Sequence, residues 1–256
     1  MPDGLSHSDA DGWDSHWGDL AIAAALNPAQ AYRRRLVFGL LEREGPPACL
    51  IDVGSGEGSF LAEAVRRWPL AALVGLESSA VGVDLCRSKV PSAEVFHVDL
   101  LAGQDPPASH ELRGTHAVCS EVLEHVDDPV LLLHNACAWL APGCLLVVTV
   151  PGGPMSAYDR HIGHRRHFTS QELADVMRAA GLVPVAVMRA GFPFFNLYRL
   201  TVIARGERLV EDVASRNEGG SVAARVAMAA FRCVFPLNLQ SSPWGWQIVG
   251  VARVPR

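Results

Sequence analysis

Residues 50–61 read LIDVGSGEGSFL: an apolar run, then a turn that places glycine at every second position, then the start of an amphipathic segment. The apolar run predicts a short buried strand, and SFLAEAVRRW at 59–68 predicts the helix that follows it. Glycines between the two let the backbone turn sharply and pass close beneath a ligand. A glycine-rich turn from strand to helix is typical of nucleotide-binding α/β proteins. We therefore predict an α/β fold that binds a nucleotide-like ligand at this turn.

Strand and helix patterns alternate along the rest of the chain. Six further apolar runs predict strands: ALVGLE (72–77), EVFHVD (94–99), HAVCSEV (116–122), CLLVVTV (144–150), LVPVAVM (182–188) and WQIVGVARV (246–254). Helical spacing of apolar residues occurs at 19–43, where Asn27-Pro28 marks a helix restart, and again at 83–90, 130–140 and 169–181. This alternation predicts a mostly parallel, doubly wound sheet.

The chain is long enough for one α/β domain with additions. We expect an N-terminal helical cap at 1–44, a cofactor-binding core at 45–190, an apolar helical insertion at 191–243 and the last strand at 244–256. A connection as long as the insertion needs its own structure. Its apolar helical stretches predict a lid on the core or a homodimer contact, with a membrane-surface or lipid-substrate role as the alternative.

Composition excludes several other classes of protein. The chain has 256 residues, of which 49% are hydrophobic and 19% charged, enough for a full core. A net charge of −5 disfavours long nucleic acid as a partner. No apolar run is long enough to predict a membrane span, and the acidic, polar start is unlike a signal peptide. The six scattered cysteines form no C-x-x-C pair, so we expect buried, reduced thiols in a cytoplasmic protein.

Carboxylates lie near the ends of the first three predicted strands. Asp52 precedes the glycine turn, where it could attract the cationic amino-acid portion of a ligand. Glu77 ends the second strand, where a carboxylate can accept hydrogen bonds from both ribose hydroxyls, although a solvated acid is the simpler alternative. Asp99 ends the third strand, beside Leu100, and suits an adenine amino group and ring. The third glycine of a dinucleotide fingerprint is absent, because Ser59 stands at that position.

Five stretches in order, LIDVGSGEGSFL, VGLESS, HVDLL, AVCSEVLEHVDDP and PGCLLVVTVPG, resemble the successive motifs of class I S-adenosylmethionine-dependent methyltransferases. They are most similar to the branch of ubiquinone-pathway O-methyltransferases and small-molecule natural-product methyltransferases. The resemblance covers roughly residues 27–190 and the last strand. Ser55 stands for the family's frequent cysteine and Glu57 for a frequent threonine. The resemblance implies a Rossmann-like, seven-stranded, mostly parallel sheet with an antiparallel last strand.

The resemblance also implies S-adenosylmethionine as methyl donor and S-adenosylhomocysteine as product. Carried over by position, the cofactor contacts are Asp52, Gly54, Ser55, Gly56, Gly58, Glu77, Ser78, Asp99, Leu100, Ser120 and Glu121. The stretch NPAQAYRRR resembles the family's entry helix over the cofactor. Tyr32 and Arg33 in this stretch are therefore candidates for cofactor contacts. The alternative is that both are surface residues.

The stretch EVLEH carries candidate metal ligands. If it opens a helix, Glu121, Glu124 and His125 share one face, and such side chains suit a divalent ion. The spacing resembles the metal-binding motif of ubiquinone-pathway and small-RNA 2′-O-methyltransferases. The RNA enzymes add a histidine after strand five, to which His164 corresponds. The prediction is Mg²⁺, Mn²⁺ or Zn²⁺ on these four residues. The alternatives are His125 or His164 as a general base without metal, or structural hydrogen bonding.

The loop DRHIGHRRHFT is rich in cations. Its arginines, Arg160, Arg165 and Arg166, could bind an anionic substrate group or the acids of EVLEHVDD. Tyr158 is a candidate for positioning the methyl acceptor. Trp13 and Trp17, four residues apart, form either an aromatic flap over the acceptor or ordinary helix packing.

We therefore expect a methyltransferase acting on a small molecule, first at a hydroxyl oxygen and second at nitrogen or carbon. The acceptor is hydrophobic or carries an anionic group, and a metal could assist. A metal-dependent RNA 2′-O-methyltransferase is the second hypothesis, disfavoured by the acidic charge. A cofactor-binding regulatory subunit is the third.

Overall fold

The computed structural model describes residues 27–107, 112–214 and 222–256, with side chains described outside 207–225. Seven strands form one sheet: β1 Cys49–Val53, β2 Ala72–Glu77, β3 Glu94–His97, β4 Gly114–Ser120, β5 Leu140–Pro151, β6 Val183–Ala190 and β7 Gln247–Arg253. The α-helices in these ranges are α1 Pro28–Leu41, α2 Ser59–Arg67, α3 Ala80–Lys89, α4 Pro129–Ala136, α5 Ala157–His161, α6 Ser170–Ala179, α7 Phe194–Ala214 and α8 Val222–Val234. Trp13 and Trp17 lie outside the described residues.

The sheet has the strand order β3-β2-β1-β4-β5-β7-β6. The pairs among β1 to β5 are parallel, whereas β7 runs antiparallel to both β5 and β6. The predicted Rossmann-like sheet of seven strands with an antiparallel last strand is thus confirmed. The chain winds outward from β1 to β3 and then returns to the other side of β1 at β4. Ligands of open α/β sheets bind at such a reversal, beside the carboxyl ends of the strands.

Helices cover both faces of the sheet. The strand β1 is buried along its whole length, as expected for a parallel strand in the middle of a sheet. On one face, Phe38 of α1 stacks on Phe60 of α2 with ring centroids 4.5 Å apart. On the other face, Leu133 of α4 and Leu173 of α6 join the second core cluster. The glycine turn after β1 is therefore held between two packed layers.

Two local features differ from the sequence-based expectation. The helix predicted for 130–140 ends at Ala136, and a 3-10 turn leads into β5, which begins at Leu140. Ala141-Pro142-Gly143, which the sequence pattern predicts to end this helix, instead lies within β5, where the register with β4 shifts and Gly143 has a φ of 81°. The short helix α5 is also absent from the sequence-based assignment. Its five residues carry too few apolar positions to show a helical period.

Helix α1 begins at the predicted position Asn27-Pro28, while residues 19–26 of the predicted helical stretch lie outside the described residues. The Asn27 side chain accepts a hydrogen bond from the amide of Ala29 at 2.9 Å, and Pro28 occupies the first helical position. The same Asn27 oxygen accepts a hydrogen bond from the Tyr198 hydroxyl of α7 at 3.2 Å. The beginning of α1 is thereby tied to the insertion.

The insertion packs on the core through α7, α8 and an aromatic cluster. The rings of Phe195, Tyr198, Phe231 and Phe235 form this cluster, in which the centroids of contacting rings are 5.4 to 6.4 Å apart. Asn238 fixes the first turn of α7 by accepting hydrogen bonds from two of its amides. No helix in the described part of the chain is long and apolar enough to cross a membrane.

The six cysteines are all unpaired. Four of them, Cys49, Cys86, Cys119 and Cys144, are buried, as the sequence predicted. Cys137 is half-buried, and Cys233 differs from the expectation because it lies on the exposed side of α8.

The glycine turn provides a test of the fold with a matched control. Gly58 has a φ of +82°, and a Cβ there would lie 2.6 Å from the Cys86 sulfur. We expect Gly58→Ala to lower the free energy of unfolding by about 1–3 kcal/mol, because the new side chain meets both backbone strain and a packed neighbour. In helix α1, Gly39 has open space around it. There, Gly39→Ala should be neutral or stabilising by up to about 1 kcal/mol. Urea denaturation measures both, and equal losses in the two variants would contradict this account of the turn.

Candidate functional site

A cavity of about 640 Å³ opens at the carboxyl ends of β1, β2 and β4. One end is lined by the glycine turn, Glu77 and Asp99, and the other by α5 and α7. Most of the residues predicted for the cofactor therefore border the same space as Tyr158, His125 and His164, which are predicted for the methyl acceptor.

The glycines of the turn have different roles. Gly54 has a φ of +73° and lines the cavity, and a Cβ there would lie 2.5 Å from a methyl group of Val122. Gly56 also lines it, with a φ of 52°. Gly58 does not line the cavity, contrary to the expectation, because it forms the N-cap of α2 and faces Cys86.

The Glu77 carboxylate braces the turn from the end of β2. One oxygen accepts a hydrogen bond from the Gly56 amide at 2.7 Å, and the other accepts one from the Ser79 amide at 2.8 Å. Burial raises the pKa of Glu77, and the hydrogen bonds from these amides oppose that rise. Glu77 still lines the cavity, and each carboxylate oxygen has a second lone pair. The side chain can therefore hold the turn and accept a ligand hydroxyl together.

Asp52 lies at the bottom of the same end of the cavity and is only 4% exposed. Burial and the neighbouring charge of Glu77 raise the pKa of Asp52 to about 8. Its carboxyl group is therefore largely protonated at neutral pH. A ligand's ammonium group placed beside it would favour the carboxylate, in keeping with the role that the sequence suggested.

The predicted adenine end is built by the turn after β3. An Asp99 side-chain oxygen accepts a hydrogen bond from the Leu101 amide at 2.8 Å and starts the 3-10 turn Leu100–Ala102. Asp99 is exposed at the cavity mouth, whereas Leu100 is buried in its wall, and both line the space. Ser78 and Ser120 line it as well.

Tyr32 does not line the cavity, so the structure does not support it as a cofactor contact. It faces the insertion, with its ring centroid 5.6 Å from those of both Phe195 and Phe235. The next residue of α1, Arg33, does line the cavity and forms an ion pair with Glu121 at 3.4 Å. Tyr32 and Arg33 are adjacent in α1 but point in different directions. Tyr32 faces the aromatic rings of the insertion, and Arg33 faces the cavity.

EVLEH does not open a helix. Glu121 has a φ of 58°, the one positive value outside glycine in the described residues, and Leu123–His125 form a single 3-10 turn. Glu121 and Glu124 therefore do not share a helical face. A Glu121 oxygen accepts hydrogen bonds from the Thr149 hydroxyl at 3.1 Å and the Gln247 amide at 2.9 Å. The Glu121 carboxylate is thus engaged at the cavity wall, and it is not grouped with the other three predicted metal ligands.

The other three predicted metal ligands lie close together. Potential ligand atoms of Glu124, His125 and His164 lie within 4.8 Å of one another. A carboxylate oxygen of Glu124 is 4.0 Å from the Nε2 atoms of both histidines. Glu124 is completely buried, and neither of its oxygens has a hydrogen-bond partner within the part of the chain that the structure describes. Burial, and then the charge of Glu121, raise the pKa of Glu124 well above its usual value.

His164 is linked to a histidine that sequence reasoning did not single out. Nδ1 of His164 is 3.2 Å from Nε2 of His167, whose Nδ1 is 3.0 Å from the Gly153 carbonyl oxygen. Burial and the neighbouring His125 lower the pKa of His164 to about 3. Burial also lowers the pKa of His167. Both imidazoles are therefore neutral at pH 7, and their proton positions are set by hydrogen bonding.

Asp159 joins the histidine loop to the insertion. Its two carboxylate oxygens accept hydrogen bonds from Nη1 and Nη2 of Arg199, at 2.8 and 2.7 Å. The Ser156 amide and hydroxyl donate to the same carboxylate, both at 2.7 Å. Burial opposes ionisation, but these donors hold the pKa of Asp159 well below its usual value. The S-x-x-D spacing is a capping-box signal, whereas nothing in the sequence pairs Asp159 with Arg199.

Two loop arginines bind the acidic stretch instead of facing the cavity. Arg165 forms an ion pair with Asp127, and Arg166 donates a hydrogen bond to the Asp127 carbonyl at 3.0 Å. Neither these residues nor Arg160 lines the cavity. The alternative role, pairing with EVLEHVDD, therefore holds for Arg165 and Arg166, and the anionic-substrate role does not.

One group of residues that line the cavity is mostly apolar. Phe195, Tyr198 and Val202 of α7 line it together with Ile162 and Tyr158. Burial raises the pKa of Tyr158 to about 12, so its hydroxyl keeps its proton at neutral pH. Tyr158 can position an acceptor by hydrogen bonding but cannot take its proton at this pH.

Comparison with known proteins gives a family match. Residues 29–187 match the family model described as "Methyltransferase domain". Trans-aconitate 2-methyltransferase of Azoarcus sp. strain BH72 is 34% identical over 104 residues, which are 41% of this chain and 39% of that protein. Ubiquinone biosynthesis O-methyltransferase of Hydrogenovibrio crunogenus is 28% identical over 142 residues, 52% of this chain and 53% of that protein. The chain spans about half or less of the length of these curated relatives.

A solved structure supports the fold. Phosphoethanolamine N-methyltransferase 2 of Haemonchus contortus, in complex with S-adenosyl-L-methionine, superimposes with a TM-score of 0.64 at 16% identity. The match covers 100% of this chain and 62% of that one. At this identity the likeness establishes the architecture alone.

Glu77 is the residue whose change tests the cofactor end most cleanly. In Glu77→Gln one carboxylate oxygen becomes an amide NH₂, which cannot accept the hydrogen bond of Gly56 or Ser79. We expect S-adenosylhomocysteine affinity to fall at least about tenfold, the effect of losing a charged hydrogen bond. Isothermal titration calorimetry measures the affinity, and a melting curve monitors folding. The exposed Asp175 of α6 gives the control Asp175→Asn, which should bind as the parent does. Unchanged affinity in Glu77→Gln would remove Glu77 from the cofactor site.

Proposed function

The chain belongs to the methyltransferase domain family, and we propose that it transfers the methyl group of S-adenosylmethionine to a hydroxyl oxygen of a small, mostly apolar acceptor. The observation that carries this proposal is one cavity, which joins the glycine turn and Glu77 to His125 and His164, the two histidines beside the buried Glu124. Methyl transfer requires donor and acceptor to be aligned in one enclosed space.

The cofactor end suits a ligand with a sulfonium and an amino-acid portion. Glu77 would accept the ribose hydroxyls, and Asp99 with Leu100 would border the adenine. Glu121 borders this end of the cavity, and Asp52 would ionise beside a ligand's ammonium group, so the site favours a cationic ligand over a pyrophosphate. The methyl group would then face the space between β4, α5 and α7.

The arginines around the cavity do not favour a polyanionic acceptor. Each of the three that line it is paired with a carboxylate in the described structure: Arg33 with Glu121, Arg34 with Glu63 and Arg199 with Asp159. Trans-aconitate, the acceptor in a relative's name, carries several carboxylates and would need cations that are not already compensated. The apolar wall of α7 instead suits an aromatic or aliphatic body. The acceptor we propose is therefore uncharged around its reactive hydroxyl.

The group Glu124, His125 and His164 fits a divalent cation. A fully buried carboxylate with no hydrogen-bond partner is costly unless it is protonated or paired with positive charge, and two imidazoles stand 4.0 Å from it. One carboxylate and two imidazoles are a ligand set that Zn²⁺ and Mn²⁺ accept. A cation held there would lower the pKa of an acceptor hydroxyl and orient it, so that no strong base is needed.

The remaining work of the protein is alignment and exclusion of water. The acceptor oxygen forms a bond to the methyl carbon while the carbon–sulfur bond breaks, leaving neutral S-adenosylhomocysteine, and the hydroxyl proton passes to solvent. Tyr158 would hydrogen-bond the acceptor, while Phe195 and Val202 would keep its apolar body dry. The homodimer contact through 191–243 and the domain limits given above stay predictions.

Labelled methyl transfer tests this function. With methyl-labelled S-adenosylmethionine, we expect label to enter catechol-type hydroxyls at least about tenfold faster than trans-aconitate or phosphoethanolamine. The chelator EDTA should stop the transfer, and Mn²⁺ should restore it. Glu124→Gln, which keeps the size of the side chain and loses its charge, should not recover with Mn²⁺, whereas Asp175→Asn should behave as the parent does.

Two results would contradict the proposal. Labelling of trans-aconitate or phosphoethanolamine in preference to every hydroxyl would make the acceptor assignment wrong. Full transfer to a hydroxyl in the presence of chelator would leave the methyltransferase assignment standing but would contradict the bound cation. A histidine would then be the group that accepts the hydroxyl proton.

A further inference from the structure

His167 stands behind the cavity wall, away from the space itself. It is 7% exposed at its side chain, and it does not line the cavity, whereas His164 does. Its two ring nitrogens are both used: Nε2 meets Nδ1 of His164 at 3.2 Å, and Nδ1 meets the Gly153 carbonyl at 3.0 Å. The three groups form one hydrogen-bonded row that ends in the main chain.

The Gly153 carbonyl at the end of this row determines which ring nitrogens carry protons. A carbonyl oxygen can only accept, so Nδ1 of His167 carries a proton and donates it to Gly153. In the neutral ring, Nε2 of His167 is then an acceptor. Nδ1 of His164 must therefore carry the proton that is donated to it, which leaves Nε2 of His164 without one.

A negative charge beside His167 could favour a second proton on its ring, and Nε2 of His167 would then donate to His164 instead of accepting from it. Asp159 is the carboxylate close enough to be considered for this effect. Its Oδ2 is 3.7 Å from Nε2 of His167, too far for a hydrogen bond. That oxygen already accepts from Arg199 and from both donors of Ser156. The charge of Asp159 is thus compensated by Arg199, and the row keeps a neutral His167.

We propose that His167 is a positioning residue that fixes His164 as the tautomer with its proton on Nδ1, so that the bare Nε2 lone pair points toward Glu124 and the cavity. This is the opposite of the tautomer that free histidine favours in water. The use of the lone pair to bind a cation rests on the proposed function, but the tautomer does not.

Nuclear magnetic resonance of the full chain labelled with ¹⁵N-histidine reads the tautomer directly, without metal or cofactor. Long-range proton–nitrogen correlations identify which ring nitrogen carries the proton. We expect His164 with its proton on Nδ1. A proton on Nε2 of His164 in the parent protein overturns the proposal, whatever the variants show.

Two substitutions at position 167 separate positioning from plain structural support. His167→Gln places an acceptor oxygen near the site of Nε2 and gives up the bond to Gly153. His167→Asn keeps a donor near the site of Nδ1 for Gly153 and gives up the acceptor for His164. Positioning predicts that Gln preserves the Nδ1 proton of His164 and that Asn loses it. A structural role predicts the reverse order, with Asn closer to the parent.

Mn²⁺ binding to the cofactor-free protein gives a second readout of the same pair. We expect His167→Asn to weaken Mn²⁺ binding by about 10–100-fold, the usual effect of removing a partner that orients a metal ligand, and His167→Gln to stay near the parent. Equal weakening in both variants, at equal melting temperatures, would overturn the proposal. If the parent protein itself binds no Mn²⁺ while His164 shows the expected tautomer, the inference stands and the cation in the proposed function falls.

Discussion

The reversal of winding between β1 and β4 is the constraint on which the site depends. Because the chain runs outward to β3 before it returns beside β1, the connections after β1 and β4 diverge and leave a crevice at the carboxyl edge. The glycine turn fills one side of that crevice and the strained residue Glu121 begins the other. Glu77, one strand away, fixes the turn with both carboxylate oxygens. The cofactor end is thus set by topology and by one buried carboxylate.

The acceptor end depends on a second buried carboxylate. Asp159 draws Arg199 of α7 toward α5, and through Ser156 it also fixes the start of α5. This ion pair connects the insertion to the histidine loop, so the apolar wall and the histidines keep their relative positions. Removing one partner of such a buried pair typically costs about 3–5 kcal/mol, because the other charge is left uncompensated. The histidine loop and the apolar residues of α7 are thus held by one ion pair, whose partners are forty residues apart in the sequence.

The sequence predicts the sheet well, and it predicts which carboxylates meet at the sheet's carboxyl edge, because both are encoded locally. Alternating strand and helix patterns define the topology, and Glu77 and Asp99 stand at strand ends that a parallel sheet must bring together. The acceptor end is harder, because its geometry depends on tertiary contacts. EVLEH has helical spacing, but the left-handed backbone at Glu121 turns that carboxylate away from Glu124. Likewise, Tyr32 is taken up by the aromatic cluster of the insertion, and the partner of Asp159 is visible only in the folded chain.

We propose above that one cavity binds the methyl donor at the glycine turn, with its methyl group directed toward His125 and His164. A crystal structure of the protein with S-adenosylhomocysteine tests this most directly. We expect the ribose hydroxyls on Glu77, the adenine beside Leu100, and the sulfur open to the space between His164 and Phe195. A ligand bound elsewhere, or one whose sulfur faces away from that space, would contradict it.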